Sequence, residues 1–246
     1  MQASQAPSTG RRRVARAHAA RSLNLHLAHL CVHQAARHLH RVRREQAVER
    51  VAHAGRQGQL DASSPTCVDA LQRIGRADRA DLRLQDYRDI NDAPFDAICS
   101  IEMVEAVGRE YWPTYFQTVS RLLKPGGKAC VQSIVIDDEH FERYIKGTDF
   151  IQQYIFPGGC LPCPTEFRAQ ARAAGLEVVD EFPFGLDYAE TLAQWRDRFL
   201  HEHDRVLALG FDQRFMRIWE FYLAYCEAGF RGGNIDVVQY TLRKPA

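Results

Sequence analysis

The sequence predicts an α/β fold on a mostly parallel sheet, and three observations within Leu82 to Gly127 predict it. Phe95 to Ile101 is a short, largely apolar run bounded upstream by the turn residues Asn91-Asp92-Ala93-Pro94, the pattern of a buried strand. Tyr111 to Leu123 has helical apolar spacing and stops at Lys124-Pro125-Gly126-Gly127. Ala129 to Ile136 then reads as a second strand. Between the first strand and the helix stand two carboxylates, Glu102 and Glu105. In open α/β sheets the ligand crevice lies outside the carboxyl ends of the strands, so acids placed there are candidates for chemistry.

The flanking elements follow in order. Ala80 to Leu84 reads as a strand, with Gln85-Asp86-Tyr87 at its carboxyl end. Asp137 to Gln153 is strongly polar and leads into Tyr154-Ile155-Phe156-Pro157-Gly158-Gly159, an insertion that suits a lid. Thr165 to Ala174 is helical and stops at Gly175, and Leu176 to Phe184 is a strand. Ala189 to Ala228 gives helices with Trp195, Phe199, Phe215, Trp219, Tyr222 and Tyr225, an aromatic stripe expected to be core. Gly232-Gly233-Asn234 turns into Ile235 to Leu242, expected as an edge strand.

Bulk properties bound the reading. A chain of 246 residues with 46% hydrophobic and 26% charged residues is ordinary for a globular protein of one domain, or one domain and a lid. Seven cysteines, an odd number scattered along the chain, do not make a disulfide framework and fit a reducing cytoplasm. Cys160-Leu161-Pro162-Cys163 lacks a second pair, so it reads as a structural loop and no metal site is expected. No run approaches the ~20 apolar residues of a membrane span, and the basic start at Arg11-Arg12-Arg13 lacks the apolar region of a secretory signal.

Residues 1–72 stand apart from residues 73–246. They hold 11 Arg, no Lys, 7 of the 10 His and 4 acids, with no stable apolar face. Across residues 1–80 the excess is nine positive charges, and the remainder is acidic by eight. A nucleic-acid-binding arm would be basic in this way, but residues 1–72 contain no aromatic stacking platform, so no nucleic-acid partner is expected. A targeting peptide would be far shorter.

Leu84-Gln85-Asp86-Tyr87-Arg88-Asp89, Phe95-Asp96, Glu105-Ala106-Val107-Gly108 and Leu123-Lys124-Pro125-Gly126-Gly127 resemble the second half of a class I S-adenosylmethionine (SAM) methyltransferase domain. Tyr154-Ile155-Phe156-Pro157-Gly158-Gly159-Cys160-Leu161-Pro162 and Phe184-Gly185-Leu186-Asp187-Tyr188 narrow the resemblance to the cyclopropane-fatty-acyl-phospholipid synthase family, from about Ile74 to the C-terminus. It implies a Rossmann-like SAM-methyltransferase sheet with an inserted helical lid, incomplete at its N-terminus. The family's glycine-rich turn and the acid after its second strand are not found in residues 1–72. That stretch is therefore expected to be a disordered segment, or an out-of-frame or mis-started reading that rejoins the family near Arg73-Ile74-Gly75-Arg76, and SAM is expected to bind weakly or not at all.

The resemblance also implies roles. Gln85 and Asp86 would lie beside the adenine of SAM. Glu105, the Gln132 side chain, the Ile134 backbone and Tyr188 would hold a bicarbonate ion near the reacting methyl group. Many family members carry His in place of Gln132, and an amide can bond an anion but does not titrate near neutral pH. On residue physics alone, Glu105 reads equally well as a carboxylate favoured by a helix start. The implied activity is methyl or methylene transfer to the double bond of an unsaturated phospholipid acyl chain, performed from the cytoplasm at the membrane surface, with a homodimer among the assemblies to test. The alternatives are a SAM-dependent methyltransferase of a small molecule and an inactive remnant without cofactor binding.

Overall fold

The structure, a computed structural model, describes Ala52, His53, Gln72, Asp81 and residues 83–246. The expectations for residues 1–72 lie outside the described residues except at Ala52, His53 and Gln72.

Two short strands, β1 (Ala52–His53) and β2 (Arg83–Leu84), pair in parallel, with Ala52 opposite Arg83 and His53 opposite Leu84. The turn after β2 is a 3-10 helix, Tyr87–Asp89, capped by the Asp86 side chain. The main sheet contains β3 (Phe95–Ile101), β4 (Leu123–Ile136), β5 (Glu177–Pro183) and β6 (Ile235–Arg243) in the order β3-β4-β6-β5. β3 and β4 are parallel, whereas β6 is antiparallel to both of its neighbours. The sheet is thus mixed rather than mostly parallel.

Three expectations change at this level. Ile235–Arg243 is an inner strand and not an edge, because Val237, Val238, Gln239 and Tyr240 are buried in succession between β4 and β5. Strand β3 is half exposed rather than buried, since it forms one edge of the four-stranded sheet of described residues. The Lys124-Pro125-Gly126-Gly127 stop is absorbed into β4 as a bulge. Leu123 pairs with Phe95 and Lys128 with Ala97, so five steps along β4 span two along β3. A Cβ at Gly127 would lie 2.8 Å from the Lys124 carbonyl oxygen and 3.1 Å from that of Asp96, so the bulge requires glycine.

Helix α1 (Trp112–Leu122) buries Trp112, Tyr115, Phe116, Val119 and Leu122, a stripe at three- and four-residue spacing, and it begins with Pro113 in its first turn. The lid insertion forms α2 (Asp138–Tyr144) and α3 (Phe150–Tyr154), the latter opened by an Asp149–Gln152 capping box. Helix α4 (Pro164–Ala173) ends before Gly175, as the sequence predicts. The core joins these pieces: Phe116 meets Phe167 edge-on at 4.9 Å, and Phe167 stacks on Tyr240 at 3.8 Å.

Helices α5 (Gly185–His201), α6 (His203–Ala208) and α7 (Gln213–Arg231) complete the fold. Gln194–Leu223 belong to one compact unit, whereas the described residues up to Ala193 and Ala224–Ala246 form another. In the first, Phe211, Phe215 and Trp219 stack in series at 4.2 and 5.4 Å, and Phe199 and Trp219 are buried, so the aromatic stripe is core there. Tyr225, in the other unit, departs from that expectation and is exposed.

Candidate active site

Chain direction brings the acids together with β4. Strand β3 ends at Ile101, and the chain breaks at Glu102, whose φ of 50° lies in the left-handed region that L residues avoid. The break is held by the Glu102 N–H, which donates to the Gln132 carbonyl at 2.8 Å. A single 3-10 turn, Val104–Ala106, follows and buries Val104 and Glu105. The Trp112 indole N–H fixes this turn by donating to the Val104 carbonyl at 3.2 Å.

Glu105 is 9% exposed. Its Oε1 accepts the Ile134 backbone N–H at 2.5 Å, and its Oε2 is buried with no hydrogen-bond partner. Burial, reinforced by the negative charge of Glu102, pushes the Glu105 carboxyl up to about 8. A three-residue turn offers little helix-end field, so the geometry gives no support to a helix-start role for Glu105.

Glu102 organises the polar cluster. Gln132 Nε2 donates to its Oε1 at 2.8 Å, and the Tyr188 hydroxyl donates across both oxygens at 2.9 and 3.0 Å. Gln132, 2% exposed, in turn accepts from Gln239 Nε2 at 2.9 Å. Tyr188 is set by the start of α5, where the Gly185 N–H donates to Asp236 Oδ1 at 2.7 Å and the Phe184 N–H to the Val237 carbonyl at 2.9 Å. A Cβ at residue 185 would fall 2.5 Å from that Asp236 oxygen, so only glycine brings α5 this close to β6. The lid reaches the same place: the Cys160 N–H donates to the Glu105 carbonyl at 2.8 Å.

The structure therefore gathers Glu105, Gln132, Ile134 and Tyr188 into one part-buried cluster around β4. Gln85 and Asp86 occupy the turn after β2 instead. Gln85 Nε2 donates to the Asp89 carbonyl at 2.8 Å, and Asp86 is paired with Arg88. Tyr87 links this turn to the cluster region, meeting Tyr115 edge-on at 6.0 Å, and the Tyr115 hydroxyl donates to Ser100 Oγ at 2.7 Å. An amide and a carboxylate at the carboxyl end of a parallel strand are the donor and acceptor types that suit an adenine, which would take over bonds now made locally to Asp89 and Arg88. The bicarbonate ion does not fit: its three donors are all engaged by Glu102 and Glu105, and a further negative charge would stand beside the Glu102 carboxylate.

Sequence reasoning noted Glu102 but gave it no role, and it missed Gln239. The signal for Gln239 was a lone amide inside the apolar run Val237-Val238-Gln239-Tyr240; its register partner is Gln132. Cys160 and Cys163 are structural: Cys163 Sγ caps α4, accepting from the Glu166 N–H, and burial pushes its thiol up to about 11. No helix among the described residues is long and apolar enough to cross a membrane.

A family model described as mycolic acid cyclopropane synthetase matches residues 61–240. Over 177 residues the chain is 43% identical to the tuberculostearic acid methyltransferase UfaA1 of Mycobacterium tuberculosis, a match covering 70% of this chain and 41% of that protein. It is 38% identical over 156 residues to the cyclopropane-fatty-acyl-phospholipid synthase of Escherichia coli strain K12, covering 63% and 39%. The chain thus spans about two fifths of the length of these relatives. The solved mycolic acid cyclopropane synthase CmaA1, complexed with SAH and CTAB, matches with a TM-score of 0.64 and 27% identity, covering 74% of this chain and 68% of that one. With a match across residues 61–240 and a SAM-methyltransferase fold beneath it, the chain belongs to the mycolic acid cyclopropane synthetase family.

Proposed function

We propose that this chain carries the acceptor side of a SAM-dependent methyltransferase that transfers a methyl or methylene group to the double bond of an unsaturated phospholipid acyl chain. The observation that carries this reading is the part-buried cluster of Glu102, Glu105, Gln132, Ile134 and Tyr188, which has acids and neutral donors but no Lys, Arg or His. SAM, when bound, supplies an electrophilic methyl on a sulfonium, and Gln85 and Asp86 would hold its adenine end. An alkene has no lone pair, so its attack on a methyl leaves positive charge on carbon. A fixed carboxylate in a site closed to water stabilises that charge and keeps water from capturing it. Loss of a proton from the cation then ends the reaction, and the chain must offer a base.

The lid suits a lipid acceptor. Tyr154 and Phe156, 55% and 44% exposed, stand next to the Gly158-Gly159 turn whose continuation is bonded to Glu105. Aromatic side chains presented there favour action at a membrane surface.

The test is incubation of the chain with methyl-labelled SAM, at saturating concentration, and vesicles of either dioleoyl or fully saturated phosphatidylglycerol. Label entering only the unsaturated lipid, with a mass gain of one CH2, supports the reading. Label passing to a water-soluble acceptor, or to both lipids alike, overturns it. Upfield methylene proton signals separate a ring from an exocyclic methylene of the same mass.

A further inference from the structure

Three donors that the family resemblance assigns to a bicarbonate ion are present here, and all three are bonded to acids of the chain itself. Gln132 Nε2 and the Tyr188 hydroxyl donate to Glu102, and the Ile134 N–H donates to Glu105. Resting on the methyl-transfer reading, we propose that Glu102 is the resident anion of this site: it replaces an exogenous oxyanion, faces the cation formed on the acyl chain and accepts the proton that the cation loses.

The backbone supports this role. Glu102 is the only non-glycine residue with positive φ among the described residues, at 50°. Such a conformation persists where the surroundings over-determine it. Here the Glu102 N–H is fixed to the Gln132 carbonyl while its side chain is fixed by Gln132 and Tyr188. Main chain and carboxylate are therefore set against the same residue of β4, and the carboxylate has little freedom to leave.

The two acids also divide the protonation states between them. Glu105 is driven toward its neutral form by burial and by the charge of Glu102, whereas Glu102 receives the hydroxyl and the amide donor. The neutral form thus falls to Glu105, while Glu102 holds the two donors that suit a carboxylate. Glu105 Oε2, buried and unpartnered, is the natural position for the proton of the neutral acid. Gln239, donating to Gln132, orients the amide so that its N–H points at Glu102.

The step balances without another reactant. After methyl transfer a C–H bond of the transferred methyl breaks. Its electron pair forms the C–C bond that closes the three-membered ring, and the proton passes to a Glu102 oxygen. Release of that proton to solvent after product departure restores the carboxylate.

Glu102→Gly tests the proposal, since glycine tolerates this φ and the variant is expected to fold. It leaves Gln132 and Tyr188 as open donors, which recreates a site for bicarbonate. In bicarbonate-depleted buffer the native chain should keep its turnover, whereas Glu102→Gly should lose about 10²- to 10³-fold. Added bicarbonate should restore at least about tenfold to the variant and nothing to the native chain, at the gain expected of a restored charged contact. A second readout needs no turnover: bicarbonate, against chloride at equal pH and ionic strength, should raise the melting temperature of Glu102→Gly only. A native chain whose turnover or melting temperature depends on bicarbonate overturns the proposal, and so does full activity of Glu102→Gly without it. If the native chain modifies no unsaturated lipid under any condition, the methyl-transfer reading fails, while the melting comparison still decides whether Glu102 occupies the anion's place.

Discussion

Ile134 donates its backbone N–H to one oxygen of Glu105 at 2.5 Å, while the other oxygen of that carboxyl is sealed from solvent without a hydrogen-bond partner. One half of the group is thus bound to the sheet, and the other is buried without a partner. The bound half depends on β4 running on past Gln132, its last pair with β3, so that Ile134 lies beside the turn that carries Glu105.

Glu105→Gln should leave SAM affinity nearly unchanged and reduce turnover about 10²- to 10³-fold, the usual effect of removing one preorganised contact made most strongly in the transition state. SAM titration, melting temperature and turnover on the same variant provide the check. Unchanged turnover with a lowered melting temperature would leave Glu105 a purely structural residue.

The stability of the chain should fall as pH rises from about 5 to about 8. The Glu105 carboxyl is raised to about 8 in the folded state from 4.5 in the unfolded chain, so the folded state binds the extra proton across that interval. The contribution is fully present below the unfolded value and lost as pH climbs through the folded one. Asp96 and Asp138, both held below the ordinary carboxylate range, act in the opposite sense and only below about pH 4. Denaturant midpoints across pH 5 to 8 should slope downward for the native chain and less steeply for Glu105→Gln, in which His203, raised by its bonds to Asp204 and Gln213, still adds a slope of the same sign.

The main elements were legible because their signals are local. Phe95–Ile101 is bounded by Pro94 and by the acids, α1 carries its apolar stripe, and Gly175 stops α4. Glu105, Gln132, Ile134 and Tyr188 were found through motif resemblance, and the structure brings them together. Strand order was not legible, since Val237-Val238-Gln239-Tyr240 reads alike in an inner or an edge strand until its neighbours are known. Nor was the capture of Tyr188 by Glu102, a bond between residues 86 positions apart that depends on how α5 leaves β5.

Gln239→Leu should destabilise the chain by about 1–3 kcal/mol, the cost of leaving the buried Gln132 side-chain oxygen Oε1 without its donor. It should also lower turnover, because the freed amide can turn its oxygen toward Glu102 and repel it. A melting temperature and turnover unchanged from the native chain would show that this amide pair does not orient the cluster.

SAM should bind more weakly than micromolar, that is, with less than about 8 kcal/mol of binding free energy. Residues 1–72 contain only Gly10, Gly55 and Gly58, too widely spaced for a turn in which successive N–H groups approach the methionine carboxylate. Calorimetric titration measures it, and micromolar affinity would mean that other residues supply that half of the pocket.

The Cys160 N–H to Glu105 carbonyl bond ties access to readiness. The loop is fastened to the turn that carries Glu105, so lifting it from this end means breaking a bond worth about 1 kcal/mol and loosening that turn. Under the methyl-transfer reading this bond would act as an interlock: with the loop lifted, Glu105 would lose an anchor of its turn, and closure would restore it. Stray water entering an open pocket would then meet a site not yet competent to react.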